Sequence, residues 1–359
     1  MKRWRGWIKR SLSWSDKADL PMLLQRLCRR QDMGRIQRLV TATKAGTAAV
    51  PAAEQRLAEL IEASEAAMLE GVTFSGEERY FFVLEDSDSG ELVGCSSIVA
   101  AAGFSQPFYT FRNEVFLHAS RELGLHNRIH VLSLCHDLTG HSLLSGLYQL
   151  PNQNASVLAL NALGRLAFMA SHPDRFAESV AVEIAGISDG QNAPFWDAVG
   201  RHFFAVSYSE AEQIGLTRGR SFLAELMPGY PIYVPMLSDA AQEAIGQVNP
   251  VSEPVFELLL EQGFETDNYV DIFDGGPVLH ARGNSLRGIS GSQVACADVV
   301  AEVVPGRQCW LVSNQRVADY RASVLTVDWQ PGQMLTLSAE QAELLKVRTG
   351  DALRLLEVS

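Results

Sequence analysis

At 359 residues, 47% of them hydrophobic and 20% charged, the chain is long enough for a large core domain with a second unit attached. It holds no run of about 18 apolar residues, which excludes a membrane-spanning helix. The net charge of −12 is unevenly spread: residues 1 to 44 carry twelve Lys/Arg and three Asp/Glu, or +9, which leaves −21 for residues 45 to 359. Such an acidic body suits a small cationic substrate and disfavours nucleic-acid backbones.

The basic start, MKRWRGWIKRSLSW, lacks the apolar stretch a secretory signal needs and reads as a solvated terminal segment. Five scattered cysteines, Cys28, Cys95, Cys135, Cys296 and Cys309, show no CxxC spacing and fit reduced thiols in a cytoplasm. Leu20 to Leu39 has helical spacing at Leu20, Leu23, Leu24 and Leu27, half-solvated because five arginines interrupt it. Ala42 to Pro51 (ATKAGTAAVP) reads as a linker. Residues 1 to 70 therefore form a divergent N-terminal segment with helices, and its first fifty residues are expected to be peripheral. The firmest helix in it is Glu54 to Leu69, where Leu57, Leu60, Ile61 and Met68 line one stripe.

Tyr80 to Leu84 and Leu92 to Ala100 are expected strands around the loop Asp86 to Gly90, an antiparallel hairpin. Further strands are expected at Phe108 to Arg112, Arg128 to Leu134 and Leu143 to Leu150. Pro151 then hands over to a helix, Asn152 to Ser171, with Leu158, Ala162, Leu166 and Met169 on its inner face. A strand opening onto a helix N-terminus is where α/β proteins bind anionic cofactors, because free amide N–H groups and the helix dipole point out there. Next come a strand at Ser179 to Ile187, a helix at Pro194 to His202 running into an aromatic strand FFAVSY (Phe203 to Tyr208), a helix at Pro254 to Gln262 and a strand in GFETDNYVDIF. The texture changes after Gly275, Gly276 and Pro277. Short strands from Cys309 onward, a helix at Ala339 to Leu345 and the end TGDALRLLEV suggest a small β-barrel-like domain with a packing or interface role. The expected division is 71–278 for the core and 279–359 for the β-rich C-terminal domain, in an α/β (α+β) chain.

The octet SLCHDLTG (Ser133 to Gly140), with FRNE (Phe111 to Glu114), LHAS (Leu117 to Ser120) and YVDIFDGGP (Tyr269 to Pro277), resembles the arginine N-succinyltransferase family over roughly Glu77 to Ser359. The resemblance implies the GCN5-related acyltransferase fold, which the order of expected elements also matches. It further implies an alpha-type subunit that moves succinyl from succinyl-CoA, a cosubstrate and not a resident cofactor, to the α-amine of arginine or ornithine in arginine breakdown. A homologous second subunit is the implied partner. On the same resemblance, Leu147 near the middle of its strand contacts succinyl-CoA; core packing is the alternative for that residue.

At two segments the chain departs from what the resemblance implies. Acyltransferases of this fold usually carry a Gly-rich loop straight after the central strand, since glycines let backbone amides crowd a phosphate. Counting from Gln153, Ser156 and Leu158 stand where glycines belong. At GQVNP (Gly246 to Pro250) the family has a histidine proton donor before the proline, and this chain has Asn249, whose amide can donate a hydrogen bond but no acidic proton. His136 is then the candidate to supply a proton. A non-catalytic or regulatory chain of a heteromeric enzyme is the other reading.

Glu225 (AELMP), Asp271 and Asp274 (VDIFD) are candidates to receive guanidinium and ammonium groups, since arginine-type cations favour carboxylates. A turn or cap is the alternative for each, most of all for Asp274 before Gly-Gly. His126, His130, His136 and His141 with Cys135 raise zinc. The HNRIH segment reads as a loop leading into a strand, so helical i, i+4 ligation does not apply and no metal is expected.

Overall fold

The computed structural model describes residues 22–42, 54–69, 71–72, 74–151, 153, 155–218, 220–227, 229–304 and 306–358. The basic start and nearly all of the expected linker lie outside them. The described strands join into one open mixed sheet.

The described part of the first fifty residues is not peripheral as expected, because it places a strand inside the sheet. β1 (Leu23–Leu27) is buried along its whole length and pairs antiparallel with β2 (Arg79–Asp86) on one side and β13 (Arg321–Val327) on the other. The helical spacing of Leu20 to Leu39 is thus replaced by a strand followed by helix α1 (Met33–Ala42). Of the five arginines that suggested solvent, Arg29, Arg30 and Arg38 are exposed and Arg35 is half-buried, but Arg26 on β1 is inside and paired. Gln25 donates to the Asn161 carbonyl, and the Arg26 guanidinium grips Asp32 through two bonds of 2.7 and 2.9 Å and also reaches Glu85. Buried polar groups are tolerated when bonded in this way.

Helix α2 (Glu54–Leu69) buries Leu57, Leu60 and Ile61 as its stripe requires. β2 and β3 (Leu92–Val99) form the expected antiparallel hairpin. β4 (Thr110–Ser120) and β5 (Leu125–Cys135) make a long two-stranded ribbon. β6 (Ser142–Gln149) lies between β3, antiparallel, and β7 (Ser179–Glu183), parallel. The connection between these parallel strands is α3 (Ala155–Ser171), in which every residue from Ser156 to Met169 is buried. A helix apolar on all sides must be covered on all sides, and α3 packs on β3 and β6, on the C-terminal strands, and on α9 (Glu253–Gln262) and α10 (Arg287–Ser290).

Between β7 and β9 (Glu265–Val270) come α4 (Pro194–Ala198), α5 (Gly200–Phe204), α6 (Tyr208–Arg218), α7 (Ser221–Leu226), the short β8 (Ile232–Tyr233) and α8 (Asp239–Ala244). The expected strand FFAVSY does not form. Phe203 and Phe204 close α5, Ala205 turns left-handed at φ 53°, and Tyr208 starts the next helix. Phe204 instead stacks on the buried Trp196 at 5.7 Å, so the aromatic run fills a helical cluster and lines no sheet. β10 (Pro277–Arg282) sits between β7 and β9. The remaining strands, β11 (Gln293–Val300), β12 (Gln308–Asn314), β13, β14 (Leu335–Ser338) and β15 (Ala352–Glu357), form one end of the sheet. They share a core with α11 (Ala339–Leu345) that contains Trp310, Trp329 and Leu337.

Candidate active site

β6 and β7 are bonded only through Ser142↔Val180, Leu143↔Ala181 and Leu144↔Val182. Beyond those pairs the two parallel strands part. β6 shifts register against β3 between Cys95 and Ser97, and Gly146 takes φ 59°, a left-handed value that glycine adopts without strain. A bulge removes carbonyls from the ladder, and here α3 supplies donors for them: Nη1 of the wholly buried Arg165 bonds the Ser97 and Ser145 carbonyls, both at 3.3 Å. The result is a wedge between parallel strands, open toward their C-terminal ends, with the N-terminus of α3 just beyond β6. Leu147, 6% exposed, belongs to the main core at this wedge.

The other half of the site is built by the turn between β9 and β10. Asp271 Oδ1 accepts from the Phe273 and Asp274 amides at 2.7 and 3.2 Å. Asp274 accepts from Gly276 at 2.7 Å and from Gly186 at 2.6 Å, which ties the turn to the end of β7. Only glycine fits at 276, because a Cβ there would lie 2.4 Å from the Ile184 carbonyl. Beside this turn is a cavity of about 70 Å³ lined by Glu183, Tyr208, Glu212, Arg220, Asp271 and Asp274 among others.

Arg220 reaches in from the start of α7 and meets Glu183 through two bonds, Nη1 to Oε1 at 2.5 Å and Nη2 to Oε2 at 2.9 Å. Its Nη1 is 3.6 Å from Asp271 Oδ2. The guanidinium is flanked by Phe108 and Phe273, 5.2 and 5.3 Å from the ring centres, a favourable cation–π setting. One cation therefore faces several carboxylates. Burial, with Asp271 adding to it against Arg220, pushes Glu183 up to about 7. Burial and Asp271 likewise raise Asp274 well above the ordinary carboxylate range, and burial raises Glu212. A wider groove of about 640 Å³ shares Glu183, Gly215 and Arg220 with the cavity and runs past Phe104, Phe108 and Arg79.

Of the residues singled out in the sequence, Asp271 and Asp274 meet in the cavity, and Asp274 makes the turn bonds that its Gly-Gly context suggests. Asn249 stands behind the cavity wall. Its N–H donates to the carbonyl of Ala185 at 2.8 Å, and its Oδ1 accepts from Val251 at 3.1 Å, capping the turn that leads into α9. His136 is exposed in the turn after β5, beside Tyr109, and Glu225 is exposed on α7; neither lines the cavity or the groove. Ser156 and Leu158 are buried within α3, Leu158 in the main core; Asn152 and Asn154 lie outside the described residues. His126 and His130 sit on β5 opposite Ala119 and Val115, and among the described residues no group of three or more potential metal ligands occurs.

Glu183 and Arg220 were not read from the sequence. Glu183 did leave a signal, as the one acidic residue closing the apolar strand SVAVE. Arg220 left none, because its partner is 37 residues away.

A mixed sheet whose two central parallel strands part beside a helix N-terminus, with a charged cavity alongside, is the architecture of a GCN5-related acyltransferase. Sequence comparison supplies the family. The model for the arginine N-succinyltransferase beta subunit matches residues 23–288, and the model for the C-terminal domain of that beta subunit matches residues 293–357. The chain belongs to the arginine N-succinyltransferase family. It is 55% identical over 339 residues to the arginine N-succinyltransferase subunit alpha of Pseudomonas aeruginosa, covering 94% of this chain and 100% of the relative. It is 36% identical over 342 residues to the arginine N-succinyltransferase of an Enterobacter species, covering 94% and 98%. The solved structure of arginine/ornithine succinyltransferase subunit AI from Pseudomonas aeruginosa superposes with a TM-score of 0.86 at 51% identity, covering 95% of this chain and all of that one. The family match starts at residue 23, well before Glu77, the rough start of the expected likeness.

Proposed function

We propose that this chain transfers a succinyl group from succinyl-CoA to the α-amine of arginine, as the alpha-type subunit of a cytoplasmic enzyme of arginine breakdown that includes a homologous second chain. The parting of β6 and β7 carries this reading, because it offers a slot for the pantetheine arm directly beside a carboxylate-rich cavity suited to a cationic amine. In the reaction the amine nitrogen attacks the thioester carbonyl, a C–N bond forms and the C–S bond breaks. Of the two protons the ammonium gives up, one goes to the departing thiolate and the other to solvent. Leu147 and the β6 backbone flank the acyl-CoA, and Asp271 draws in the cation. Asn249 steadies the cavity wall and gives up no proton. A thiol with a pKa near 8.5 leaves without strong acid assistance, so slow turnover is compatible with an amide at that position.

Asn249, already committed to a cap, also favours a second reading in which the chain is a non-catalytic partner. The purified chain, alone and with its homologous subunit, is to be assayed for release of CoA thiol from succinyl-CoA with arginine and with ornithine. Amine-dependent release by the chain alone supports the first reading, release only with the second subunit the other. Absence of release with both amines in both preparations overturns the function.

A further inference from the structure

Resting on that reaction, we infer that the Glu183–Arg220 pair is the receptor for the two charged groups on the α-carbon of the acceptor amino acid, with the α-ammonium against Glu183 and the α-carboxylate against Arg220. Position is the first ground. Glu183 directly follows Val182, the last residue of β7 paired to β6. Side chains alternate along a strand: Val182 enters the main core that holds α3, while Ala181 faces the opposite core, and Glu183 follows Ala181 to that side. Its carboxylate thus stands at the mouth of the wedge where a thioester carbonyl would emerge.

Access is the second ground. The side chains of Glu183 and Arg220 retain 12% and 18% exposure, and both line the enclosed cavity and the open groove. Charge is the third. An amino acid inserted between the two replaces one direct ion pair by two, carboxylate to ammonium and guanidinium to carboxylate, so no buried charge loses its partner. Asp271 Oδ2, 3.6 Å from Arg220, remains as a second counter-ion. The Phe108 and Phe273 rings still contact the guanidinium when Glu183 turns to the ligand. A planar guanidinium held in place is suited to bidentate recognition of a carboxylate.

The receptor demands a free carboxylate next to the amine. Agmatine, which is arginine without that carboxylate, and arginine amide test this against arginine itself, using the full chain with its second subunit where turnover needs it. In the wild type, kcat/KM for arginine should exceed that for agmatine by on the order of 10²- to 10⁴-fold, because the analogue lacks the carboxylate that pairs with the Arg220 guanidinium once Glu183 has turned to the ammonium. Arg220→Gln should collapse this ratio to within a few-fold, and Glu183→Gln should raise KM for arginine and agmatine together. The double variant Glu183→Gln/Arg220→Gln removes both charges, leaves neither unpaired, and should also have lost the preference. Equal losses on arginine and agmatine in Arg220→Gln, with the wild-type ratio intact, would overturn the receptor while leaving the reaction standing. Calorimetry reads the same preference without turnover: binding of arginine over agmatine through Arg220, in a preparation that acylates nothing, supports the receptor and refutes the reaction.

Discussion

Among the described residues lie two buried arginine–carboxylate clusters, and they are built to opposite specifications. In the first, beneath the β1–β2 pair, Asp32 is fully buried and is held by Arg26, by Arg35 and by the Arg29 amide. Arg26 and Arg35 also reach Glu85, so two cations meet two anions. Despite burial, these bonds hold the Asp32 carboxyl below its usual range. In the second, Arg220 alone faces Glu183 and Asp271, with Asp274 and Glu212 lining the same cavity, and Glu183 is driven upward. A balanced, closed cluster locks a fold together. A cluster with surplus negative charge beside an open groove is strained in the absence of a further cation and is relieved by binding one.

The largest expected effect tests the balanced cluster. Asp32→Ala strips Arg26 of its main partner in the core and should reduce stability by about 3–5 kcal/mol, read from urea unfolding with a constant slope. Glu183→Gln should cost distinctly less, since Arg220 keeps Asp271. An equal loss in the two variants would erase the distinction between the clusters.

The pH dependence should carry opposite signs. Glu183 rises from about 4.5 to about 7 on folding, so the folded state binds more protons there. Its ionisation therefore subtracts from stability as pH climbs through that window, by at most about 3 kcal/mol. Asp32 is lowered; its contribution is complete above the unfolded value of 3.8 and is lost as pH falls through the folded value. Stability of Glu183→Gln measured from pH 4.5 to 7 should be flatter than that of the wild type, whereas an unchanged slope would mean the cavity does not disfavour the anion.

How far the sequence revealed these two regions follows from where each partner lies. Local periodicity located α2 residue for residue, because a buried stripe needs only its own helix to be legible. Of the wedge, the strand-to-helix junction was visible, as an apolar strand ending in Pro151 before a helical pattern, but the parting from β7 was not. β1 was not visible either, since Arg26 read as solvated until Asp32 and Glu85 are seen around it. The same holds for the cavity. Asp271 and Asp274 stood out within a distinctive motif, but Glu183 and Arg220 become a pair only when β7 and the start of α7 are brought together. The phenylalanines of FFAVSY misled for a related reason: aromatic residues suit a strand or a helical cluster equally, and the stacking partner Trp196 decided between them.

Within the cavity, Asp271→Asn should weaken arginine binding by about 1.5–3 kcal/mol, as loss of a charged contact does. The amide oxygen can still accept from Phe273 and Asp274, so the turn should survive; unchanged calorimetric affinity would assign Asp271 to the turn alone. Asn249→Ala, on the wall, should lower stability by about 1 kcal/mol through loss of its cap on Val251, visible as a shift in the unfolding midpoint, and no shift would mean the cap is dispensable.

The smallest effect belongs to Glu225, and it sets a boundary for the comparison. This carboxylate has the same charge as Asp271 and lies only a few residues beyond Arg220, yet it is exposed on α7 and lines neither cavity nor groove. In water its field is screened within about 8 Å at physiological salt, and it has no low-dielectric wall to focus it. Glu225→Gln should therefore leave the arginine KM within twofold and the stability within about 0.5 kcal/mol. A KM rise comparable to that of Asp271→Asn would show that acidic charge near the site attracts arginine regardless of burial. Surplus charge enclosed in the cavity would then no longer be what separates the functional cluster from the structural one.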